Sequence, residues 1–271
     1  MNSIRPLVRE LLPSEFFRGI RSILGKGIRF SGNYEYWDQA ASLCSGYDSE
    51  SILEKVLQAT LKVKSGEAIF ERDSVLFDEI QYSWPVTATL MWAAARNKGS
   101  LHVLDFGGSL GSSYFQNRKF LSELNELSWS IVEQRKIVSI GRDKIADGVI
   151  NFFLDIDEYR SCCTPNFVLL SSVLQYLSEP FNLLVDIAKL DSKIIVVDRT
   201  PFAVDEKERI KIQHVPSNIY SASYPCWFFS RTDFVEKMKA LDYQVVESFD
   251  ALDKLTSEAK WLGMIFEKAE S

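Results

Sequence analysis

The chain has 271 residues, of which 46% are hydrophobic and 13% aromatic, enough for one α/β domain of ordinary size with an N-terminal extension. Its formal net charge of −6 argues against nucleic acid as the main partner, because binding phosphates requires a basic surface. The 4 cysteines and 2 histidines have no disulfide or zinc spacing, and no apolar run is long enough to span a membrane, so we expect a cytoplasmic protein without a metal.

The first hundred residues have mainly helical patterns. Residues 1–24 place apolar side chains at roughly helical intervals with basic side chains on the other face. This pattern predicts a helical arm that covers the main domain, or a weak peripheral contact with an anionic lipid surface. A capping-box spacing at Ser51–Glu54 and the helix-starting Pro85 predict two further helices. Residues 1–100 are therefore predicted to form a helical arm and cap, and residues 101–271 the main domain.

From Leu101 onward, apolar runs of strand length alternate with helical patterns, which is typical of a mostly parallel sheet. Strands are predicted at 101–105, 129–133, 149–154, 167–171 and 193–198, and helices at about 112–127, 137–146, 180–190 and 232–241. Residues 199–229 are predicted to be irregular. Two last runs, 244–249 and 261–266, have a short connection that favours an antiparallel pair. The sequence predicts an α/β, Rossmann-like sheet of seven strands, mostly parallel, closed by that pair.

A glycine-rich turn follows the first of these strands. The strand ends at Asp105, and the turn carries Gly107, Gly108 and Gly111 before a helical pattern begins. Such a turn lets the backbone approach a ligand closely and aims the helix N-terminus at the ligand's polar end. Glu133 closes the next strand, where a nucleoside-binding sheet holds ribose hydroxyls. Together these features predict a nucleoside cofactor.

The spacing of the turn resembles one cofactor class. The run Asp105–Gly111, D-F-G-G-S-L-G, lacks the G-x-G-x-x-G spacing of a dinucleotide turn. It resembles the first motif of class I S-adenosylmethionine-dependent methyltransferases, D-x-G-x-G-x-G, with Ser109 in place of the middle glycine. The resemblance implies that Asp105 and the turn face the methionine part of S-adenosylmethionine and that Glu133 binds its ribose.

A wider set of segments resembles a methyltransferase family found mainly in bacteria, often beside genes for surface-polysaccharide synthesis. The segments are Gly46–Ser49, Glu71–Phe77, Asp105–Gly111, Val132–Gln134, Ser171–Leu177, Asp198–Phe202 and Ser223–Pro225. Membership implies the class I fold and S-adenosylmethionine as cofactor, but no substrate. We expect the run Glu71–Ser74 to close over the cofactor or the substrate.

Other strand ends supply further candidates, since ligands of open sheets lie beyond the carboxyl ends of the strands. Asp155, with Asp157 as the near alternative, is predicted to accept from the adenine amino group, or else to be a helix N-cap or a solvated acid. Ser172, Gln175 and Tyr176 follow the fourth strand and are predicted to face the cofactor and its reacting methyl group. Packing against the next helix is the alternative for Gln175 and Tyr176.

Transfer to a hydroxyl needs in-line positioning and usually a base. His214 is the candidate base, with a structural loop histidine as the alternative, whereas His102 lies inside the first strand and is expected to be core. Arg199 is predicted to hold a carboxylate or phosphate of the acceptor, or to form an ion pair. The sequence thus predicts a methyltransferase acting on a small polar acceptor such as a saccharide. An NAD(P)-dependent sugar-modifying enzyme and a non-catalytic binding module are the alternatives.

Overall fold

A computed structural model of the chain describes residues 27–45, 49–72, 75–217, 222–253 and 255–269. The predicted arm over residues 1–24 lies outside these ranges. The structure contains two compact units. The described parts of the smaller unit fall within Met1–Asp48 and Ile210–Cys226, and those of the larger unit within Ser49–Arg209 and Trp227–Ser271.

The elements described, in chain order, are β1 (Arg29–Tyr34), α1 (Trp37–Ala41), α2 (Ser49–Ser65), β2 (Phe70–Arg72), β3 (Val75–Phe77), α3 (Trp84–Arg96), β4 (Ser100–Phe106), α4 (Ser112–Leu121), β5 (Glu126–Val132), α5 (Arg135–Ile140), a π turn (Gly141–Ile145), β6 (Ile150–Phe153), α6 (Ile156–Arg160), β7 (Phe167–Ser171), a 3₁₀ turn (Leu174–Tyr176), α7 (Pro180–Ala188), β8 (Ile194–Ala203), β9 (Arg209–Val215), β10 (Ala222–Phe228), α8 (Arg231–Ala240), β11 (Tyr243–Asp250) and β12 (Ala259–Lys268).

The larger unit contains the predicted sheet, whose seven described strands have the order β11-β12-β8-β7-β4-β5-β6. Strands β4 to β8 pair with one another in parallel. Strand β12 is antiparallel to both of its neighbours, β8 and β11. The predicted Rossmann-like architecture with a closing antiparallel pair is therefore confirmed. From β4 the chain proceeds to β5 and β6 on one side and later to β7 and β8 on the other.

The core of the larger unit lies on both faces of this sheet. One cluster of buried apolar side chains includes Val103, Trp129 and Ile131. A second cluster includes Leu104 and Val168. Because successive residues of a strand point to opposite faces, Val103 and Leu104 place the two clusters on opposite sides of β4. Burial on both faces is typical of parallel sheets covered by helices.

The structure adds strands to the predicted helical cap. Helices α2 and α3 occupy the predicted positions, and the short antiparallel pair β2–β3 lies between them. Helix α3 contacts β4, and β2 contacts α4, so residues 49–100 pack with the main sheet. For this reason the division between the two units falls at residues 48 and 49 rather than near residue 100, where the sequence placed the domain boundary.

The prediction of an irregular stretch over residues 199–229 is wrong. Strand β8 continues to Ala203, and β9 and β10 fill most of the remainder. In the smaller unit, β9 lies between β1 and β10, and its pairing with β1 is antiparallel. Polar and apolar residues alternate along the first five residues of β9, R-I-K-I-Q, which is the period-two pattern of a strand. That pattern was available in the sequence.

Candidate functional site

The strand order of the larger unit defines one edge where a ligand is expected. Strand β4 has β5 on one side and β7 on the other, so the order in which the chain adds strands reverses at this point. In open α/β sheets the crevice beyond the carboxyl ends of the strands at such a reversal is the usual ligand site. The glycine-rich turn, Glu133 and Ser172 all follow these strand ends.

The turn after β4 is held in a shape that side chains would disrupt. Gly107 has φ +74° and Gly111 has φ +96°, the left-handed region that favours glycine. A Cβ at Gly107 would lie 2.4 Å from Cγ2 of Val173, which follows β7. Ser109, at the position of the motif's middle glycine, also has a positive φ of +52°. The backbone therefore bends tightly against the residues that follow β7, and Gly107 and Gly111 are the positions of the turn where the conformation favours the absence of a side chain.

The carboxylate of Glu133 lies directly at this turn. The backbone N–H of Ser109 donates to its Oε1 at 3.2 Å, and that of Gln134 donates to its Oε2 at 2.8 Å. Burial raises the pKa of Glu133, and these two backbone hydrogen bonds oppose the change. The structure thus brings Glu133 and the glycine turn together, as a site for a nucleoside requires.

The side chain of Asp105 packs against the turn. Its side chain is 1% exposed, and the indole Nε1 of Trp129 donates to its Oδ2 at 3.0 Å. A Cβ at Gly108 would lie 2.4 Å from this carboxyl group, so the acid and the turn are in close contact. Burial raises the pKa of Asp105 to about 7, opposed by the bond from Trp129 and assisted by the negative charge of Glu133.

This pKa predicts how stability depends on pH. Because the pKa of Asp105 is about 7 in the folded state and 3.8 for an ordinary aspartate, the folded state binds more protons between these pH values than the unfolded state does. Its contribution to stability is full below about pH 4 and is lost as the pH rises through 7. Between about pH 4.5 and pH 8, we expect the unsubstituted protein to lose stability that Asp105→Asn keeps. The difference between the two losses should be on the order of 2 kcal/mol.

Urea unfolding of both proteins at the two pH values measures this difference. Asp157→Asn, which removes a largely exposed carboxylate, is the control and should follow the unsubstituted protein. Equal declines for Asp105→Asn and the unsubstituted protein would contradict the prediction.

Residues after β7 and within β8 form a buried polar network. The N–H of Ser172 donates to the carbonyl of Asp198 at 2.9 Å. The amide Nε2 of Gln175 donates to Ser172 Oγ and to the carbonyl of Arg199, both at 3.2 Å. Ser172 and Arg199 have φ values of +56° and +53°, which are uncommon for non-glycine residues. Strained backbone of this kind clusters at functional sites.

Two acceptor atoms of this network are buried without a hydrogen-bond partner among the described residues, Gln175 Oε1 and Asp198 Oδ1. Gln175 is 1% exposed and Asp198 is 4% exposed. Burial raises the pKa of Asp198 to about 6, with the charge of Arg199 acting in the opposite direction. The Nε of Arg199 donates to Asp253 at 2.7 Å, which is the ion pair that the sequence left as an alternative. Tyr176 ends the 3₁₀ turn and is half-buried.

Asp155 caps a helix. Its Oδ1 accepts from the backbone N–H of Glu158 at 2.7 Å, at the start of α6, and the residue is exposed. The structure therefore favours the N-cap alternative. We expect Asp155→Ala to cost about 1 kcal/mol of folding stability and to leave adenosine affinity unchanged. Thermal unfolding and a binding titration test this, and a tenfold or larger loss of adenosine affinity would instead support a contact with adenine.

The two histidines lie in different surroundings. His214 is on β9 in the smaller unit, where its Nε2 is 2.7 Å from Ser31 Oγ. His102 is half-buried near the amino end of β4, with its ring nitrogens 3.0 Å from Ser100 Oγ and 2.9 Å from Ser128 Oγ. The expectation that His102 is a core residue is thus only partly met, because polar neighbours surround its ring. It is at the opposite end of β4 from the glycine turn.

Glu71 contributes to the turn region from outside the sheet. It lies on β2, is 2% exposed, and accepts a hydrogen bond at Oε1 from Ser112 Oγ. Ser112 is the first residue of α4, directly after Gly111. The expectation that the run Glu71–Ser74 closes over the cofactor or the substrate stays a prediction, and residues 73–74 lie outside the described ranges. Within the described ranges, no group of three or more metal-binding side chains occurs, and no helix has the length and apolarity to cross a membrane.

Comparisons with known proteins support the fold. No protein-family model matches the sequence, and no curated protein matches it significantly. Among solved structures, the chain is similar to the N-terminal domain of EvdMO1 with SAH bound, at 14% identity and a TM-score of 0.51, over 83% of this chain and 98% of that one. The strand order and this similarity agree with the Rossmann-like fold predicted from the sequence.

Two further solved structures to which the chain is similar are named as methyltransferases. One is the 1,6-didemethyltoxoflavin-N1-methyltransferase of Burkholderia thailandensis, at 14% identity and a TM-score of 0.47, over 83% of this chain and 93% of that one. The other is the magnesium protoporphyrin IX methyltransferase of Synechocystis PCC 6803, at 14% identity and a TM-score of 0.46, over 97% of this chain and 98% of that one.

Proposed function

We propose that the protein is an S-adenosylmethionine-dependent methyltransferase. The observation that carries the proposal is the 3.2 Å hydrogen bond from the N–H of Ser109 to Glu133 Oε1. It brings an acid suited to ribose hydroxyls to the bare glycine turn, at the edge of the sheet where such ligands bind. A binding site for an adenosyl amino acid needs both groups at one place.

The residues at this edge fit the proposed cofactor. Gly107, Gly108, Ser109 and Gly111 would present backbone to the methionine part, and Glu133 would accept from the ribose hydroxyls. The space that a Cβ at Gly107 would need is already filled by Val173, so only glycine fits this position of the turn as it is packed. Asp105 would keep the turn in place through Trp129 and Gly108. S-adenosylmethionine, when bound, would supply the methyl group.

We further propose that Ser172 and Gln175 position the reacting end of the cofactor. Both follow β7, next to β4 in the sheet, and Gln175 links Ser172 to the backbone of Arg199. This link ties the end of β7 to β8 and supports a fixed geometry for an in-line transfer. Tyr176, the residue after Gln175 in the same 3₁₀ turn, is proposed to contact the acceptor.

The acceptor is proposed to be a hydroxyl of a small polar molecule such as a saccharide. The EvdMO1 domain, which has a similar fold, was crystallised in the presence of SAH and D-fucose, and this supports a saccharide as the acceptor. His214 would take the proton that the acceptor oxygen loses as it bonds to the methyl carbon. Arg199 would orient an acidic group of the acceptor, although its Nε already donates to Asp253.

Isothermal titration with S-adenosylmethionine and S-adenosylhomocysteine tests the cofactor assignment. We expect saturable binding of both ligands, and mass spectrometry of the purified protein should detect any adenosyl ligand that co-purifies. Transfer of isotopically labelled methyl groups to a panel of sugars and sugar nucleotides then tests the acceptor class, with His214→Ala as the variant that should lose turnover and keep cofactor binding. Failure of the protein to bind either adenosyl ligand would exclude the proposed function.

A further inference from the structure

A buried acid, Glu71, lies at the start of helix α4. Glu71 comes from the β2–β3 pair, which lies outside the sheet, and is buried to 2% exposure. It accepts from the hydroxyl of Ser112, the first residue of α4. The glycine turn immediately precedes this residue. A carboxylate from a distant segment therefore occupies the end of the helix that faces the proposed methionine site.

A helix N-terminus normally attracts an anion. Its free N–H groups and the positive end of the helix dipole favour phosphate or carboxylate, and dinucleotide-binding sheets use this end for the pyrophosphate. Here Glu71 places a carboxyl group beside that end, where it accepts from the hydroxyl of Ser112. Glu133, hydrogen-bonded to the same turn, adds a second carboxylate. A pyrophosphate in this place would meet two acids, and each like-charge contact disfavours the ligand.

The same charges favour a cation. The amino-acid part of S-adenosylmethionine carries an ammonium group beside its carboxylate, whereas NAD(P) carries only phosphates in the corresponding place. Charge-assisted hydrogen bonds to a buried carboxylate are stronger than neutral ones. Burial also protects the interaction from screening by salt.

We propose that Glu71 determines cofactor specificity, because its carboxylate favours a ligand with an ammonium group at the glycine turn and disfavours one with a phosphate there. This inference rests on the proposed function. It gives the β2–β3 pair a role in selecting the cofactor, in addition to packing on α4.

The test uses Glu71→Gln, which removes the charge and keeps an oxygen that can accept from Ser112. Titrations measure the affinities of S-adenosylhomocysteine and of its analogue without the amino group. We expect the variant to bind S-adenosylhomocysteine about tenfold more weakly and to bind the desamino analogue no more weakly than the unsubstituted protein. The variant should also reduce the difference between the affinities of the protein for S-adenosylhomocysteine and for NADH.

Glu79→Gln is the matched control, because Glu79 is an exposed acid just after β3 and should change neither affinity. Glu71→Asp keeps the charge but withdraws it by one methylene, so it should reduce the preference for the ammonium by less than Glu71→Gln. This second variant also provides a test if Glu71→Gln does not fold, which thermal unfolding would reveal.

Equal losses of affinity for both ligands in Glu71→Gln would mean that the residue only supports the fold, and unchanged affinities would mean that its charge is not sensed. Either result overturns this inference while the proposed function stands. If the unsubstituted protein binds neither adenosyl ligand, the proposed function fails first, and the inference fails with it.

Discussion

The variant Gly107→Ala is expected to lose affinity for S-adenosylhomocysteine by on the order of a hundredfold, which corresponds to about 2.7 kcal/mol of binding free energy. The new Cβ would lie 2.4 Å from Cγ2 of Val173 and 2.9 Å from its Cβ. A β-branched side chain has little rotamer freedom to yield, so the turn itself must move. Alanine at φ +74° adds backbone strain, and we expect a stability loss of about 2 kcal/mol in total.

Gly148→Ala is the control that separates the effect of backbone strain from the effect of a steric clash. Gly148 has φ +93°, and a Cβ there would meet nothing within 4 Å. It should therefore lose about 1 kcal/mol of stability from the left-handed conformation alone and keep full ligand affinity. Isothermal titration and urea unfolding of both variants give the comparison. If Gly107→Ala retained the affinity of the unsubstituted protein, the turn would not be the ligand site.

Glu133→Ala is expected to abolish most binding of adenosyl ligands. The carboxylate is proposed to accept from two ribose hydroxyls, and hydrogen bonds to charged groups contribute about 1.5 to 3 kcal/mol each, so the affinity should fall by about a hundredfold or more. Adenosine and S-adenosylhomocysteine should be affected alike, because both carry the ribose. Folding stability should change little, since burial already raises the pKa of Glu133 and so makes its charged form costly to keep.

A control lies at the other end of the same strand. Glu126 begins β5, and its side chain is 65% exposed. Glu126→Ala should leave the affinity unaltered, because the amino end of the strand is remote from the carboxyl edge. The affinity of the unsubstituted protein should also fall with decreasing pH at higher pH values than an ordinary glutamate would give, because the pKa of Glu133 is raised. A pH-independent affinity would contradict the ribose assignment.

Local patterns in the sequence were sufficient to predict the sheet of the larger unit. The strand at Phe167–Ser171 has the predicted bounds, because an apolar run of strand length is bounded there by polar residues. Helix α4 is shorter than predicted and ends at Leu121, since β5 already begins at Glu126. Strand β10 was missed because Pro225 argues against a strand in local terms. Tertiary pairing overrides that preference.

The candidate site was predictable only where its residues follow strands. Asp105 and Glu133 were identified because strand ends and a glycine turn mark them in the sequence. Glu71 and Asp253 were not assigned contacts, because each meets its partner, Ser112 or Arg199, across 41 or 54 residues of chain. No periodic pattern connects such distant positions, so only the folded structure reveals these pairs.

The pairing of β1 with β9 has a consequence for how the protein is made. Ser31 and His214 are 183 residues apart in the chain, yet they are hydrogen-bonded neighbours in one small sheet. On the ribosome, the first strand emerges long before its partner exists, and closing so long a loop is entropically costly. The smaller unit therefore completes its fold late in synthesis. Until then β1 is an unpaired strand edge, which other chains can bind.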